Sequence, residues 1–99
     1  MENGYLFEWD EEKNRINFRK HGIYFKTAAK VFYDTYHLVI YDKAHSQWED
    51  RYQAIGMVND VLLVVHTIRG DCIRIISARR ATGEERKRYY DNKNDNSQG

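Results

Sequence analysis

RYQAIGMVNDVLLVVHTIRGDCIRIISARR, residues 51–80, decides the fold. Residues 52–58 and 61–68 are apolar, β-branched or aromatic runs separated by Asn59-Asp60, two residues that tolerate positive φ, and this is the composition of a hairpin. Arg69-Gly70 offers a second turn into residues 72–78, where Ile73, Ile75 and Ile76 sit among polar residues. A meander of three antiparallel strands results. Two-residue loops at both turns put His66 opposite Gln53 and Ile73, one diagonal step from Arg51, with Ser77 and Arg79 on the same face. Tyr52, Thr67 and Arg74 then gather on the reverse face, and a one-residue slip exchanges the two.

Upstream, Tyr5, Phe7 and Trp9 alternate with Leu6 and Glu8 as in a short strand, and Asp10 follows as a helix N-cap with Glu11 and Glu12 in the first turn. That helix runs to His21, where Arg19, Lys20 and His21 meet the negative end of the helix dipole and Gly22 supplies a left-handed stop. Phe25, Ala28, Ala29 and Phe32 fall on one face of a second short helix reaching about Tyr33. Residues 36–41 read as a strand and 42–50 as an exposed polar loop. Thr82 and Glu85 form a capping box that opens a third helix through Tyr89 and Tyr90, fraying near Asp91. The expected fold is α+β: a short N-terminal strand, two helices, an antiparallel meander and a C-terminal helix, one domain over residues 1–91. Residues 92–99 contain no apolar side chain and are expected as a disordered polar tail.

The chain has 99 residues, 41% of them hydrophobic, with fourteen aromatics, enough for one core. No apolar run approaches the roughly 18 residues that span a bilayer, and the acidic start lacks the basic region of a signal peptide, so no membrane and a cytoplasmic location are expected. The single Cys72 excludes a disulfide framework and reads as a buried thiol. A net charge of +1 conceals blocks. Residues 1–12 hold five acids and no base, residues 13–30 six bases and no acid, and residues 69–90 seven bases against three acids. Two basic segments are thus available to a polyanion.

No zinc, phosphate-loop, dinucleotide or nucleophile-elbow spacing occurs, so neither metal nor cofactor is expected. His37 and His45 read as surface residues, and His21 as a helix-end cation. His66 ends an apolar strand, where a polar ring has either a core partner or a chemical purpose. Arg74 interrupts the isoleucines of β-strand 72–78, which asks for an ion pair, with Glu8, Glu49 or Asp50, or a place in a groove. Arg79, Arg80 and Arg86 flank the strand-to-helix junction and can converge on one anion. Guanidiniums beside a histidine or carboxylate are what metal-free RNA cleavage needs, although passive nucleic-acid binding needs the guanidiniums too.

Phe7-Glu8-Trp9-Asp10, Lys20-His21-Gly22, Phe32 with Asp34, Arg51 before a strand, and residues 73–81 followed by Glu85-Arg86 and Tyr89 together resemble the BrnT family over about residues 7–90. The resemblance implies a RelE-like toxin of a type II toxin–antitoxin pair, an endoribonuclease neutralised in a hetero-oligomer by a BrnA-like antitoxin that also binds operator DNA. The family pattern falls on His21, Arg51, His66, Arg74, Ser77, Arg79, Glu85, Arg86 and Tyr89. Joined to the reading above, it makes Arg51, Arg74 and Arg79 the phosphate-binding residues, His66 the acid or base and Glu85 a second candidate base. Lys20, His21, Arg69, Arg80, Arg86 and Tyr89 are expected to bind RNA. The alternative is a non-catalytic nucleic-acid-binding or protein-interaction subunit of a repressor complex. The loop Ala44-His45-Ser46-Gln47-Trp48 departs from the family pattern.

Overall fold

In the computed structural model, which describes residues 4–97, a five-stranded sheet has the order β1-β5-β4-β3-β2. Strands β2 (Leu38–Tyr41), β3 (Tyr52–Val58), β4 (Asp60–Arg69) and β5 (Cys72–Arg80) form an antiparallel meander. Strand β1 (Leu6–Glu8) adds to it in parallel, beside the first three residues of β5.

Helix α1 (Glu11–His21) begins and ends as the sequence dictates. Asp10 accepts from the amides of Glu12 and Lys13, and Gly22 takes φ 72° while its amide donates to Phe18. Helix α1 covers the part of the β5 edge that β1 leaves open. The buried Asn17 accepts from the Ala78 amide at 3.1 Å and donates to the Ile23 carbonyl at 2.9 Å, so one side chain satisfies two backbone groups that sheet pairing leaves unmet. The second helix is shorter than expected: α2 spans Phe25–Ala28 and tightens to 3-10 geometry over Ala29–Tyr33. The buried Phe25, Ala28, Val31 and Phe32 pack on Ala54, Val64, Ile73 and Ile75, forming the core on one face of the sheet. Cys72 is half-buried rather than enclosed.

The hairpin register differs from the expected one, and the difference decides which side chains meet. Asn59 alone makes the first turn, at φ 63°, because Asp60 is drawn into β4 by its own bond to the Val61 amide and by Arg86 at 2.5 Å. His66 therefore faces Tyr52, not Gln53. In the second hairpin Arg69 pairs with Cys72 across Gly70-Asp71, with Gly70 at φ 58°. A β-bulge opposite Val65 and His66 then leaves Ile76 as an extra residue between Ile75 and Ser77. The bulge reverses the side-chain alternation, so Ile73 and Ile75 enter the core while Ser77 and Arg79 emerge on the opposite face.

Helix α3 (Gly83–Ser97) opens with the expected capping box: Thr82 N–H donates to Glu85 at 2.8 Å and Glu85 N–H to the Thr82 hydroxyl at 3.3 Å. It is helical through Ser97, where a tail from Asn92 was expected. Asn92 explains the extension, since its side chain donates to the Tyr36 carbonyl and its acceptors receive Asn96. Residues 98–99 lie outside the described residues. Helix α3 lays Tyr89 on Ile55, Val61 and Leu63, closing half of the second sheet face and leaving the other half open.

Candidate functional site

The open half of that face is a cleft of about 220 Å³ lined by Asp42, His45, Arg51, Gln53, Leu63, Val65, Ile76, Ser77 and Arg79. Its floor sets Leu63, Val65 and Ile76 beside the polar Gln53 and Ser77, and Arg51 and Arg79 bring two guanidiniums to it.

Arg79 projects from the last residues of β5 and is held by Glu85, the capping-box residue of α3. The two form a two-pronged pair at 2.9 and 3.0 Å, and Arg79 Nη1 also donates to the Arg80 carbonyl. Glu85 pulls the guanidinium pKa up, and Arg79 holds the Glu85 carboxyl below its ordinary value. Of the five guanidinium hydrogens, the Nε–H and one on Nη2 stay available to a ligand. Glu85, bonded to Arg79 and to the Thr82 amide, is occupied in orienting that group.

Arg51 enters from β3's start, tied loosely to Glu49 at 3.7 Å. Its backbone clasps the preceding loop. The Asp42 amide donates to the Arg51 carbonyl, and the Ser46 hydroxyl both accepts from the Arg51 amide and donates to the Asp42 carbonyl. This polar stretch, read from the sequence as a plain surface loop, contains a 3-10 turn over Lys43–His45 that folds His45 back onto the cleft. The His45 Nδ1 lies 3.1 and 3.0 Å from the two carboxylate oxygens of the buried Asp42. Burial pushes the Asp42 carboxyl pKa up, but bonds from His45 and Gln53 outweigh it and hold the group ionised below its ordinary value. The sequence signal for this pair is the i, i+3 spacing of Asp42 and His45, which the surface reading of His45 passed over.

A second cleft of about 190 Å³, lined by Lys13, Ile16, Asn17, Lys20 and His21, shares Ile76 and Ser77 with the first. The bulge thus joins α1's basic end to the arginine cleft. On the other side His45 and Arg51 line a third concavity with Trp48, whose side chain is 95% exposed.

Other expected site residues fall elsewhere. His66 lies on the helix-packed face, 2% exposed, edge-on to Phe32 at 4.9 Å and stacked on Tyr52 at 5.7 Å. Burial lowers its pKa, and the neutral ring donates from Nδ1 to the Val64 carbonyl at 3.3 Å. The expected meeting of His66 with Arg51 and Arg79 is therefore not formed, because the shorter first turn moves His66 to the other face. Arg74 takes the ion-pair option, 3.1 Å from Glu8 across the β1–β5 pairing. Arg69 pairs with Glu49, while Arg80 and Arg86 share Asp60. Tyr89 is 1% exposed and donates to Asp34 at 2.6 Å, which removes it from any nucleic-acid surface. Among the described residues no group of three or more His, Cys, Asp or Glu is placed to hold a metal ion, and no helix is long and apolar enough to cross a membrane.

A family model described as "Ribonuclease toxin, BrnT, of type II toxin-antitoxin system" matches residues 9–85. The 1.1 Å crystal structure of the Brucella abortus ribonuclease toxin BrnT is similar at 30% identity and a TM-score of 0.65, covering 80% of this chain and 99% of that one. No curated protein matches.

Proposed function

Because the chain belongs to the BrnT family of ribonuclease toxins of type II toxin–antitoxin systems, we propose that the arginine cleft of the open sheet face is where it cleaves RNA, without a metal ion. The observation that carries this is the pair Arg51 and Arg79 on one cleft, the second guanidinium held in place by Glu85. A phosphodiester seated between them places its non-bridging oxygens against fixed donors. As the ribose 2′-oxygen attacks, charge grows on those oxygens, and donors already in position stabilise it without reorganising. Typical losses on deleting one such donor are on the order of 10²–10³ in rate.

The strand on either side has matching surface. Lys20 and His21 meet backbone phosphates beyond Ser77, and Trp48 offers an exposed ring on which a base stacks. Arg69, Arg80 and Arg86, each ion-paired, contribute to steering rather than to contact with the scissile phosphate. The family brings an antitoxin partner. A BrnA-like protein that covers the cleft is the corresponding neutralising mechanism, and operator DNA is reached only through that complex, in the cytoplasm.

The test is induction in cells alongside cleavage by purified protein in EDTA. Wild type is expected to arrest growth and to cut RNA with the chelator present, and Arg51→Ala or Arg79→Ala to restore growth. Cleavage that requires an added divalent cation would refute the metal-free step. RNA left intact with and without ribosomes would instead make the chain a non-catalytic subunit of a repressor complex.

A further inference from the structure

We infer that His45, oriented by Asp42, is the general base that takes the 2′-hydroxyl proton in this cleft. The inference rests on the cleft's being the cleavage site.

Three observations meet at this residue. First, His45 is common to the arginine cleft and to the adjoining concavity of about 190 Å³ under Trp48, and Arg51 lines both, so its ring lies where a strand passes from one to the other. Second, its side chain is 68% exposed whereas its partner carboxylate is 6% exposed. A buried ionised carboxylate aimed at one nitrogen of an exposed ring leaves the other nitrogen for a substrate. Third, Asp42 is fixed from behind: its amide donates to Arg51, its carbonyl receives Ser46, and Gln53 supports the carboxylate.

The chemistry follows from the tautomer. An ionised carboxylate only accepts hydrogen bonds, so the ring nitrogen facing it, Nδ1, bears the hydrogen and Nε2 carries the lone pair. That is the form of a base. Nε2 takes the 2′-hydroxyl proton, the 2′-oxygen bonds to phosphorus, and the bond from phosphorus to the 5′-oxygen breaks. The leaving oxygen takes a proton from water, and the imidazolium returns its own to solvent. The products are a 2′,3′-cyclic phosphate and a 5′-hydroxyl, and no oxidant, reductant or metal enters the balance. Asp42 stabilises the imidazolium while it exists and is a positioning residue. Among the candidates read from the sequence, His66 is buried on the other face and Glu85 is committed to Arg79.

The experiment is single-turnover cleavage, across pH 5–8, of a transcript that wild type cuts. The charged groups around the ring are Asp42, Glu49, Arg51 and Arg79, and carboxylates and guanidiniums do not ordinarily titrate in that interval, whereas imidazole does. Wild type should show a rate rising with pH through the imidazole range. His45→Gln and His45→Ala should lose roughly 10²–10⁴ in rate, with half-saturating RNA within about threefold of wild type and a cooperative thermal melt that shows the fold retained. The rising limb should vanish, and added imidazole should restore part of the rate to His45→Ala but none to Arg79→Ala. Asp42→Asn puts a group that also donates in place of one that only accepts, so the Nε2 lone pair is no longer fixed and the saturated rate should fall while half-saturating RNA stays within about threefold of wild type. A His45→Gln rate within threefold of wild type, an unchanged rising limb in His45→Ala, or no imidazole rescue overturns the inference. If Arg51→Ala and Arg79→Ala have also kept full rate, the cleft assignment itself has failed; if they have lost it, only the role of His45 has.

Discussion

Asp34→Ala should unfold much of what holds α3 to the sheet, and the size of the loss can be worked from the structure. One Asp34 carboxylate oxygen accepts from the Met57 amide at 2.8 Å and from the Tyr89 hydroxyl at 2.6 Å, and the other from the Tyr36 amide at 3.0 Å. Strand β3, the approach to β2, and α3 are thus pinned to one side chain. A hydrogen bond to a charged group contributes about 1.5–3 kcal/mol. Water can replace part of what the half-buried amides lose, whereas the enclosed Tyr89 hydroxyl is left without its acceptor. The expected cost is about 3–5 kcal/mol, a large fraction of the roughly 5–15 kcal/mol available to a small domain, and corresponds to a fall in melting temperature of about 12–40 °C. Urea unfolding followed by circular dichroism measures it. Tyr89→Phe should cost less, and the double variant should cost less than the two singles together, because both remove one bond. Burial pushes the Asp34 carboxyl pKa up, but the bonds from Tyr89, Tyr36 and Met57 win and hold it below its ordinary value. Its stabilisation is thus present above the unfolded carboxyl value, about 3.9, and is lost as pH falls through the lower folded one. Wild type should therefore weaken more steeply than Asp34→Ala below about pH 4. A cost under about 1 kcal/mol for Asp34→Ala, or strict additivity with Tyr89→Phe, would mean that Asp34 does not pin α3 to the sheet through Tyr89.

His66→Leu should leave RNA cleavage within about threefold of wild type, since the ring faces away from the cleft, and an activity assay at saturating RNA decides it. The same variant should flatten the acid side of the stability curve. Burial lowers the His66 pKa, so the unfolded chain takes up the proton first and wild type loses stability as pH falls from about 6.5 towards the folded value. Trp48→Ala should weaken RNA binding about 5–160-fold, the range of one base–aromatic stack of roughly 1–3 kcal/mol, with little change in thermal melting; binding by fluorescence anisotropy within twofold of wild type would remove Trp48 from the RNA surface.

The helix caps and the capping box are legible because each is a local contest decided by a few adjacent residues, Asp10, Gly22, and Thr82 with Glu85, whereas the turns expected at Asn59-Asp60 and Arg69-Gly70 form at Asn59 alone and at Gly70-Asp71. What sequence spacing could not supply was register. Whether Asn59 turns alone or with Asp60 depends on Arg86, 26 residues later, which pulls Asp60 into β4. The bulge at Ile76 depends on how α1 meets the β5 edge as well as on local preference, and it alone separates Ile75 from Ser77 in facing. Those two shifts moved His66 off the arginine face and left Arg51 and Arg79 on it. Of the three carboxylates the sequence offers Arg74, Glu8 is the one it meets, because parallel pairing of β1 beside β5 makes the two neighbours. Asp42 and His45 were missed for a different reason. A polar run without periodicity reads as a solvated loop, whereas the bonds that join Asp42, Ser46 and Arg51 fold it onto the site.

The measurement that bears most directly on the account is the single-turnover RNA cleavage rate of Arg51→Ala and Arg79→Ala in EDTA, with folding checked by thermal melting. The arginine-cleft assignment requires each variant to lose on the order of 10²–10³ in rate while remaining folded. Two folded variants that both cut RNA within threefold of wild type would contradict it.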